Sequence, residues 1–306
     1  MINNELHHEV YAEIEHRCIL NCMHCSSLHL KKDPSIGFDI SDLIGFLNKI
    51  NAKAHLYLTG GEPLLYNNLV CTIRKIKDSI PSISTGIFTC GIGIGRKPIS
   101  VSLANELKAA GLDDCYISLY HTVPQKHDAV TGFAGSYDIT SESINNLLLA
   151  NIDIKAHLVI TKFNFLDFFS ILSELVEKKF SQIRILRIVE TGNAINNWEK
   201  IGVSYSEQNH IIQNVIDYIS HYDSKVTISG FPSQVACRPF PGAQKCQAGI
   251  SLFYISGDGG VYPCACTRNN KNFLIGRITE HHKIAEFIEK QKLLLFNEGC
   301  LNPISN

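Results

Sequence analysis

Three thiols fall within eight residues near the amino terminus, in Cys18-Ile19-Leu20-Asn21-Cys22-Met23-His24-Cys25. Thiolates at this C-x3-C-x2-C spacing can hold three irons of one [4Fe–4S] cube, which normally takes four cysteine ligands. The fourth iron is then open, and an open coordination position is what a catalytic metal needs. A zinc site completed by His16, His24 or His29 is the competing assignment. Gly60-Gly61-Glu62-Pro63 places a glycine pair where backbone can approach a ligand closely, although alone it reads as a strand-to-helix turn. A second cysteine group lies near the carboxyl terminus: Cys237, Cys246, Cys264, Cys266 and Cys300. Four such thiols suit an iron–sulfur cube or Zn²⁺. Cys264 and Cys266 are too close for both to be obvious ligands of one cube. Cys71, in a predicted helix, and Cys115, at the start of a predicted strand, read as core thiols.

The elements that must position these residues alternate along the chain. Strand-like segments at 10–15, 55–58, 83–89, 116–120, 152–160 and 183–189 are separated by helix-like segments at 39–50, 69–80, 101–110, 137–150 and 165–180. Gly111 is placed to end the third helix. About six β-then-α units predict an α/β protein with a parallel sheet covered by helices, a partial (β/α)6 TIM-like barrel. Such folds carry their chemistry at the C-terminal ends of the strands, and both the cysteine loop and the glycine turn follow a strand. After Gly192 the rhythm is expected to break. One amphipathic helix (206–219) precedes a tail punctuated by Pro232, Pro239, Pro241 and Gly242. Segments 251–256 and 260–262, joined by Gly257-Asp258-Gly259, predict a hairpin. The expected division is a barrel over residues 1–230 and a small domain of hairpin plus helix over 231–306.

Composition limits the partners. The 306 residues are 45% hydrophobic and 19% charged with a formal net charge of −1, which excludes disorder as the main state. The balance of 28 Lys+Arg against 29 Asp+Glu weighs against a general nucleic-acid binder. No apolar run is long enough to span a membrane. The start lacks the basic and apolar regions of a signal peptide, so the cytoplasm is the expected location. The 11 cysteines, an odd number, then read as metal ligands or catalytic thiols rather than a complete disulfide framework.

Together, the cysteine loop and the Gly-Gly-Glu-Pro turn resemble the radical S-adenosylmethionine (SAM) superfamily, over about residues 10–190. The resemblance implies that Cys18, Cys22 and Cys25 hold a [4Fe–4S] cluster. Its open iron takes the amino and carboxylate groups of SAM, with the backbone of Gly60, Gly61, Glu62 and Pro63 against the amino group. An electron from the cluster then cleaves SAM to methionine and a 5′-deoxyadenosyl radical, which removes hydrogen from an unactivated C–H bond. The protein's task is to hold these partners close. Where the family often has Thr-Asn-Gly, this chain has Thr89-Cys90-Gly91, which puts Cys90 at the SAM pocket. Ser118 and Arg187 match SAM-contact positions, and His24 is expected to cover the cluster. Cys246-x12-Gly259-x4-Cys264 resembles the opening of the SPASM/Twitch domains. That implies one auxiliary [4Fe–4S] cluster on Cys237, Cys246, Cys264 and Cys300. Cys266 is left to replace Cys237, to be inert, or to donate a hydrogen atom to a substrate radical.

The resemblance points first to an oxidoreductase that matures a ribosomally made peptide by crosslinking, epimerisation or oxidation. The segment 132–137 after His127-Asp128, and residues 187–194, look like that group. Because Cys18 comes so early, a separate leader-peptide-binding protein is an expected partner, with a ferredoxin- or flavodoxin-type reductant. The alternative is a dehydrogenase or dehydratase of a small-molecule alcohol, a sugar or aminocyclitol.

Overall fold

A strand buried on both faces has no solvent side to pattern, so strands of a covered parallel sheet read as apolar runs bounded by turns. The computed structural model describes residues 8–27, 36–50, 54–221, 225–229 and 248–293. In it β1 (His8–Glu15), α1 (Ile40–Lys49), β2 (Ala54–Gly60), α2 (Leu69–Ser79) and β3 (Ser84–Thr89) open the alternation. A short hairpin, β4 (Ile92–Gly93) with β5 (Lys97–Pro98), leads into α3 (Val101–Ala110) and β6 (Asp114–Ser118). Then come α4 (Pro124–Thr131), α5 (Ser136–Leu149), β7 (Asp153–Val159), α6 (Phe168–Glu177), β8 (Gln182–Leu186), α7 (Asn193–Ile201), α8 (Tyr205–His221) and β9 (Val226–Ser229). The last described elements are β10 (Leu252–Ile255), β11 (Gly260–Tyr262), β12 (Gly276–Arg277) and α9 (His281–Leu293).

Strands β1, β2, β3, β6, β7, β8 and β9 pair in that order, all parallel. This is the mainly parallel α/β sheet of a partial TIM-like barrel. The rhythm runs one unit further than the sequence suggests, because β9 adds a seventh parallel strand beyond Gly192. With four residues, β9 is too short for a period-two pattern to register. Helix α4 also escapes the pattern. It has eight residues, starts at Pro124 in the first turn, and buries only His127, Val130 and Thr131. The expected hairpin is present, with β10 antiparallel to β11. Strand β10 also pairs parallel to β1, Val10 facing Phe253, so the hairpin extends the barrel sheet at its first strand. The expected division after residue 230 falls outside the described residues.

Local signals fix the helix ends. Asp39 caps α1 by accepting from Ser41 N at 2.7 Å, while the Asp42 side chain accepts from Asp39 N at 3.2 Å, a capping box. α3 ends at Gly111 in the left-handed region, φ +102°. The apolar core lies between helices and sheet; Leu43, Phe46 and Leu47 of α1 and Leu69, Ile73 and Ile76 of α2 face it. That orientation corrects the expectation for Cys71, which is exposed, whereas Cys115 is buried as expected. Inside the sheet the lining is aromatic and charged. Tyr57 stacks on Phe88 at 4.5 Å between centroids and Tyr116 on His157 at 4.2 Å. The charged groups there have partners: Arg184 with Glu9 at 3.1 Å, and Asp114 with Lys155 at 3.2 Å and the His55 ring at 2.7 Å.

Candidate functional site

The residues singled out by chemistry converge at the C-terminal ends of the strands. One cavity of about 410 Å³ is lined by Cys18, Cys22 and Cys25, by Gly60, Gly61 and Glu62, by Cys90, Ser118 and Arg187, and by Cys264 and Cys266. Pro63 is not among its lining; it starts the short turn Pro63–Leu65 behind Glu62. Cys237, Cys246 and Cys300 lie outside the described residues.

The cysteine loop is shaped by backbone. Asn21 N donates to Thr131 O at 3.1 Å and Met23 N to Val130 O at 2.9 Å, so the end of α4 holds one side. Asn193 at the start of α7 holds the other. Its N donates to Cys25 O at 2.9 Å and its Nδ2 to Cys22 O at 2.9 Å. Gly192 makes this contact possible: φ is +58° and an added Cβ would lie 2.4 Å from Cys25 O. The glycine turn packs equally closely. Gly61 N donates to Glu15 O at 2.6 Å and Glu62 N to Arg17 O at 2.8 Å, and a Cβ on Gly60 would sit 2.0 Å from Glu15 O. Two glycines are therefore required where the turn meets the strand that carries the cysteine loop.

Glu62 is an anchor within this turn. Its buried carboxylate accepts from Thr89 Oγ1 at 2.5 Å, Cys90 N at 2.8 Å and Leu64 N at 3.1 Å. Burial nevertheless outweighs these donors and holds its pKa above the ordinary value. The Cys90 thiol is pushed well up, first by burial and then by the Glu62 charge, so it stays protonated. His24 packs edge-on against Tyr120 at 4.6 Å. Burial, with the neighbouring His127, lowers its pKa to about 4, which leaves a neutral ring in the cavity wall.

Sequence reasoning missed the deep wall of the cavity, where Tyr11, Phe88, His157 and Arg184 line it from β1, β3, β7 and β8. The available signal was inward position along each strand, which becomes readable only once the register is known. It also missed Arg268, which follows Cys266 and reaches back to the cysteine loop.

Cys18, Cys22 and Cys25 line one cavity, and three thiolates can each take one iron of an iron–sulfur cube. Among the described residues, no three His, Cys, Asp or Glu side chains gather at the spacing of one metal ion. A cube takes one thiolate at each of several irons, which suits thiols set around a cavity. Among the described residues, no helix is long and apolar enough to cross a membrane.

No protein-family model matches the chain. Over 272 residues it is 26% identical to the mycofactocin maturase MftC of Mycolicibacterium smegmatis, covering 87% of this chain and 66% of that protein. The chain thus spans about two thirds of that relative's length. Over 135 residues it is 31% identical to the PqqA peptide cyclase of Ruegeria pomeroyi, covering 41% of this chain and 32% of that protein. It is 24% identical over 295 residues to a probable GTP 3′,8-cyclase of Sulfurisphaera tokodaii, covering 92% and 88% of the two chains. Among solved structures, anSMEcpe with bound AdoMet superposes with a TM-score of 0.68 at 15% identity, over 94% of this chain and 84% of that one. Streptococcus suis SuiB bound to precursor peptide SuiA gives 0.64 at 16% identity, over 89% and 62%. At these identities the structural likeness establishes the fold. The fold, the cysteine loop on its cavity and the sequence relatives agree with the resemblance to the radical SAM superfamily.

Proposed function

We propose that the protein is a radical SAM oxidoreductase that abstracts hydrogen from a peptide and so matures a ribosomally made precursor. The observation that carries this reading is the single cavity shared by the Cys18, Cys22 and Cys25 thiols, the Gly60–Glu62 backbone and the Cys264–Cys266 turn. Thiolates of Cys18, Cys22 and Cys25 hold a [4Fe–4S] cluster, which supplies the electron that cleaves SAM. The Gly60, Gly61 and Glu62 backbone, with Pro63 stiffening the turn behind it, sets the amino acid end of SAM. Ser118 and Arg187 face the same ligand from the ends of β6 and β8, and protonated Cys90 adds no charge to the pocket. The aromatic wall of Tyr11, Phe88 and His157 keeps water from the reacting carbon. The peptide assignment draws on the relatives named as a maturase and a peptide cyclase.

Cys264, with Cys237, Cys246 and Cys300, is assigned to one auxiliary [4Fe–4S] cluster in a Twitch-like domain over residues 231–306, beside a barrel domain over 1–230. Cys266 is assigned as a hydrogen-atom donor. Its S–H bond breaks as a C–H bond forms on the substrate radical, and the resulting thiyl takes one electron from a ferredoxin- or flavodoxin-type reductant and one proton from solvent. A separate leader-binding protein and a cytoplasmic location complete the reading. A small-molecule substrate keeps independent support from the likeness to the GTP cyclase, which covers nearly the whole of both chains.

The test is anaerobic reconstitution with iron and sulfide, followed by SAM and dithionite. Formation of 5′-deoxyadenosine by the wild type, and its loss in Cys18→Ala, Cys22→Ala and Cys25→Ala, is expected. Retained cleavage in those variants overturns the assignment. Deuterium carried into 5′-deoxyadenosine from a labelled precursor peptide, but not from a labelled nucleotide or aminocyclitol, decides the substrate class. Cys266→Ala is expected to cleave SAM but not to complete product.

A further inference from the structure

A buried ion pair joins the C-terminal hairpin to the cysteine loop. Glu13 of β1 is fully buried, and Arg268, two residues after Cys266, exposes 6% of its side chain. Arg268 Nη1 donates to Glu13 Oε1 at 3.2 Å and to the Tyr254 hydroxyl at 2.6 Å. Its Nη2 donates to Ser27 Oγ at 2.6 Å and reaches Ser26 Oγ at 3.4 Å. Ser26 and Ser27 directly follow Cys25. Glu13 faces the other way: Tyr254 donates to Oε1 and Gly257 N donates to Oε2 at 2.7 Å. Arg268 lines the cavity together with Cys25, and Glu13 does not. The pair is therefore oriented, with its cationic end on the loop and its anionic end on the hairpin.

Reduction adds negative charge to an iron–sulfur cube, and its potential follows net charge and hydrogen bonding around the thiolates. A fixed cation in a poorly solvated site acts with little screening. We propose that the Glu13–Arg268 pair sets the reduction potential of the cluster held by Cys18, Cys22 and Cys25, with Arg268 as the positioning residue that ties the Cys264–Cys266 turn to that cluster's loop. The inference rests on the reading that those three cysteines hold a [4Fe–4S] cluster. It makes the hairpin part of the electron-accepting apparatus: a hairpin displaced from β1 carries Arg268 away from the loop and makes the cluster harder to reduce.

The two members of the pair act with opposite sign, which separates a charge effect from loosened structure. The measurement is a redox titration of the reconstituted full chain, without SAM, followed by the spin signal of the reduced cluster. Arg268→Gln is expected to lower the potential and Glu13→Gln to raise it. Each change is about tenfold in the reduction equilibrium, about 59 mV for one electron. The double variant falls between them. Arg268→Lys retains the charge without the fork and is expected to stay near wild type. Shifts of both single variants in one direction, or none in either, overturn the proposal. If Arg268→Gln does not fold, Glu13→Gln against Arg268→Lys decides, and an unraised potential in Glu13→Gln overturns it. A wild type without a reducible spin signal that Cys18→Ala removes refutes the underlying cysteine assignment instead.

Discussion

The two cysteine regions open onto one cavity but are held in different ways. The loop over residues 18–27 is clasped by backbone from α4 and by the Gly192–Asn193 turn, and the glycine turn after β2 holds residues 15–17 just before it. The Cys264 turn is held mainly by itself. Thr267 N and Oγ1 both donate to Cys264 O, at 3.2 and 2.9 Å. Arg268 ties it to the cysteine loop. The first region is thus preformed by the barrel, while the second is a short turn braced within itself and by Arg268. Preorganised thiols belong where geometry must be exact for chemistry, and a locally held turn suits a cluster whose binding helps complete its own site.

The sharpest way to break this contrast is at Gly192. Its φ of +58° with ψ −126° is barred to side-chain-bearing residues, and a Cβ there meets Cys25 O at 2.4 Å and Ser26 Cα at 2.8 Å. Gly192→Ala is expected to cost roughly 2–4 kcal/mol from backbone strain and overpacking. It should also displace the loop so that SAM cleavage is lost. Denaturant unfolding and 5′-deoxyadenosine formation measure the two. A variant that cleaves SAM normally shows that the loop does not need the clasp.

Next in size is Cys264→Ala. If the hairpin site is separate, iron per chain falls by about one cube, roughly four atoms, while SAM cleavage persists in part. Complete loss of cleavage shows instead that the two regions are one unit, and unchanged iron removes the auxiliary cluster.

The same contrast explains what the sequence disclosed. The eight-residue cysteine motif and the Gly60–Glu62 turn each follow a strand directly, so local order placed both at the correct end of the sheet. Gly111 and the 257–259 hairpin turn were readable for the same reason. The clasp was not, because α4 is short and buries a histidine and a threonine, and because Gly192 meets Cys25 across a large sequence separation. Arg268 carried no signal at all. A lone arginine after a cysteine turn acquires meaning only when β10 pairs with β1 and delivers it to Ser27. Cys71 misled for a related reason, since a helical cysteine says nothing about which face it occupies.

A third effect, of intermediate size, distinguishes the regions by pH. His127 of α4 is 1% exposed, lies 5.4 Å from the Tyr120 ring, and accepts from Tyr120 N at its Nδ1 at 3.3 Å. Burial lowers its pKa to about 4, against the opposing pull of Asp128. The unfolded chain therefore takes up this proton first as pH falls. The stabilisation is present above the ordinary histidine value and is lost between about 6.5 and 4, at most about 3 kcal/mol. Because α4 supplies the carbonyls that hold Asn21 and Met23, acid should loosen the cysteine loop before it affects the hairpin. Unfolding of metal-free protein across this range should show a shallower acid limb in His127→Asn. Parallel limbs in the two proteins discard the effect.

The smallest effect is a control that gives the first its meaning. Gly135 also has a positive φ, +86°, yet an added Cβ would meet nothing within 4 Å. Its N donates to Asp128 Oδ2 at 2.6 Å, and the same carboxylate accepts from Tyr137 N at 2.9 Å, a brace at the start of α5 that alanine leaves intact. Gly135→Ala carries the backbone strain of a left-handed residue without the collision, roughly 1–2 kcal/mol. It is expected to lower stability by that amount and to leave iron loading and SAM cleavage at wild-type levels. If it abolishes cleavage as Gly192→Ala does, general destabilisation explains both variants, and the contact between Gly192 and Cys25 loses its special place. If it does not, the loss in Gly192→Ala reports the Gly192 turn and its contact with Cys25 rather than general destabilisation.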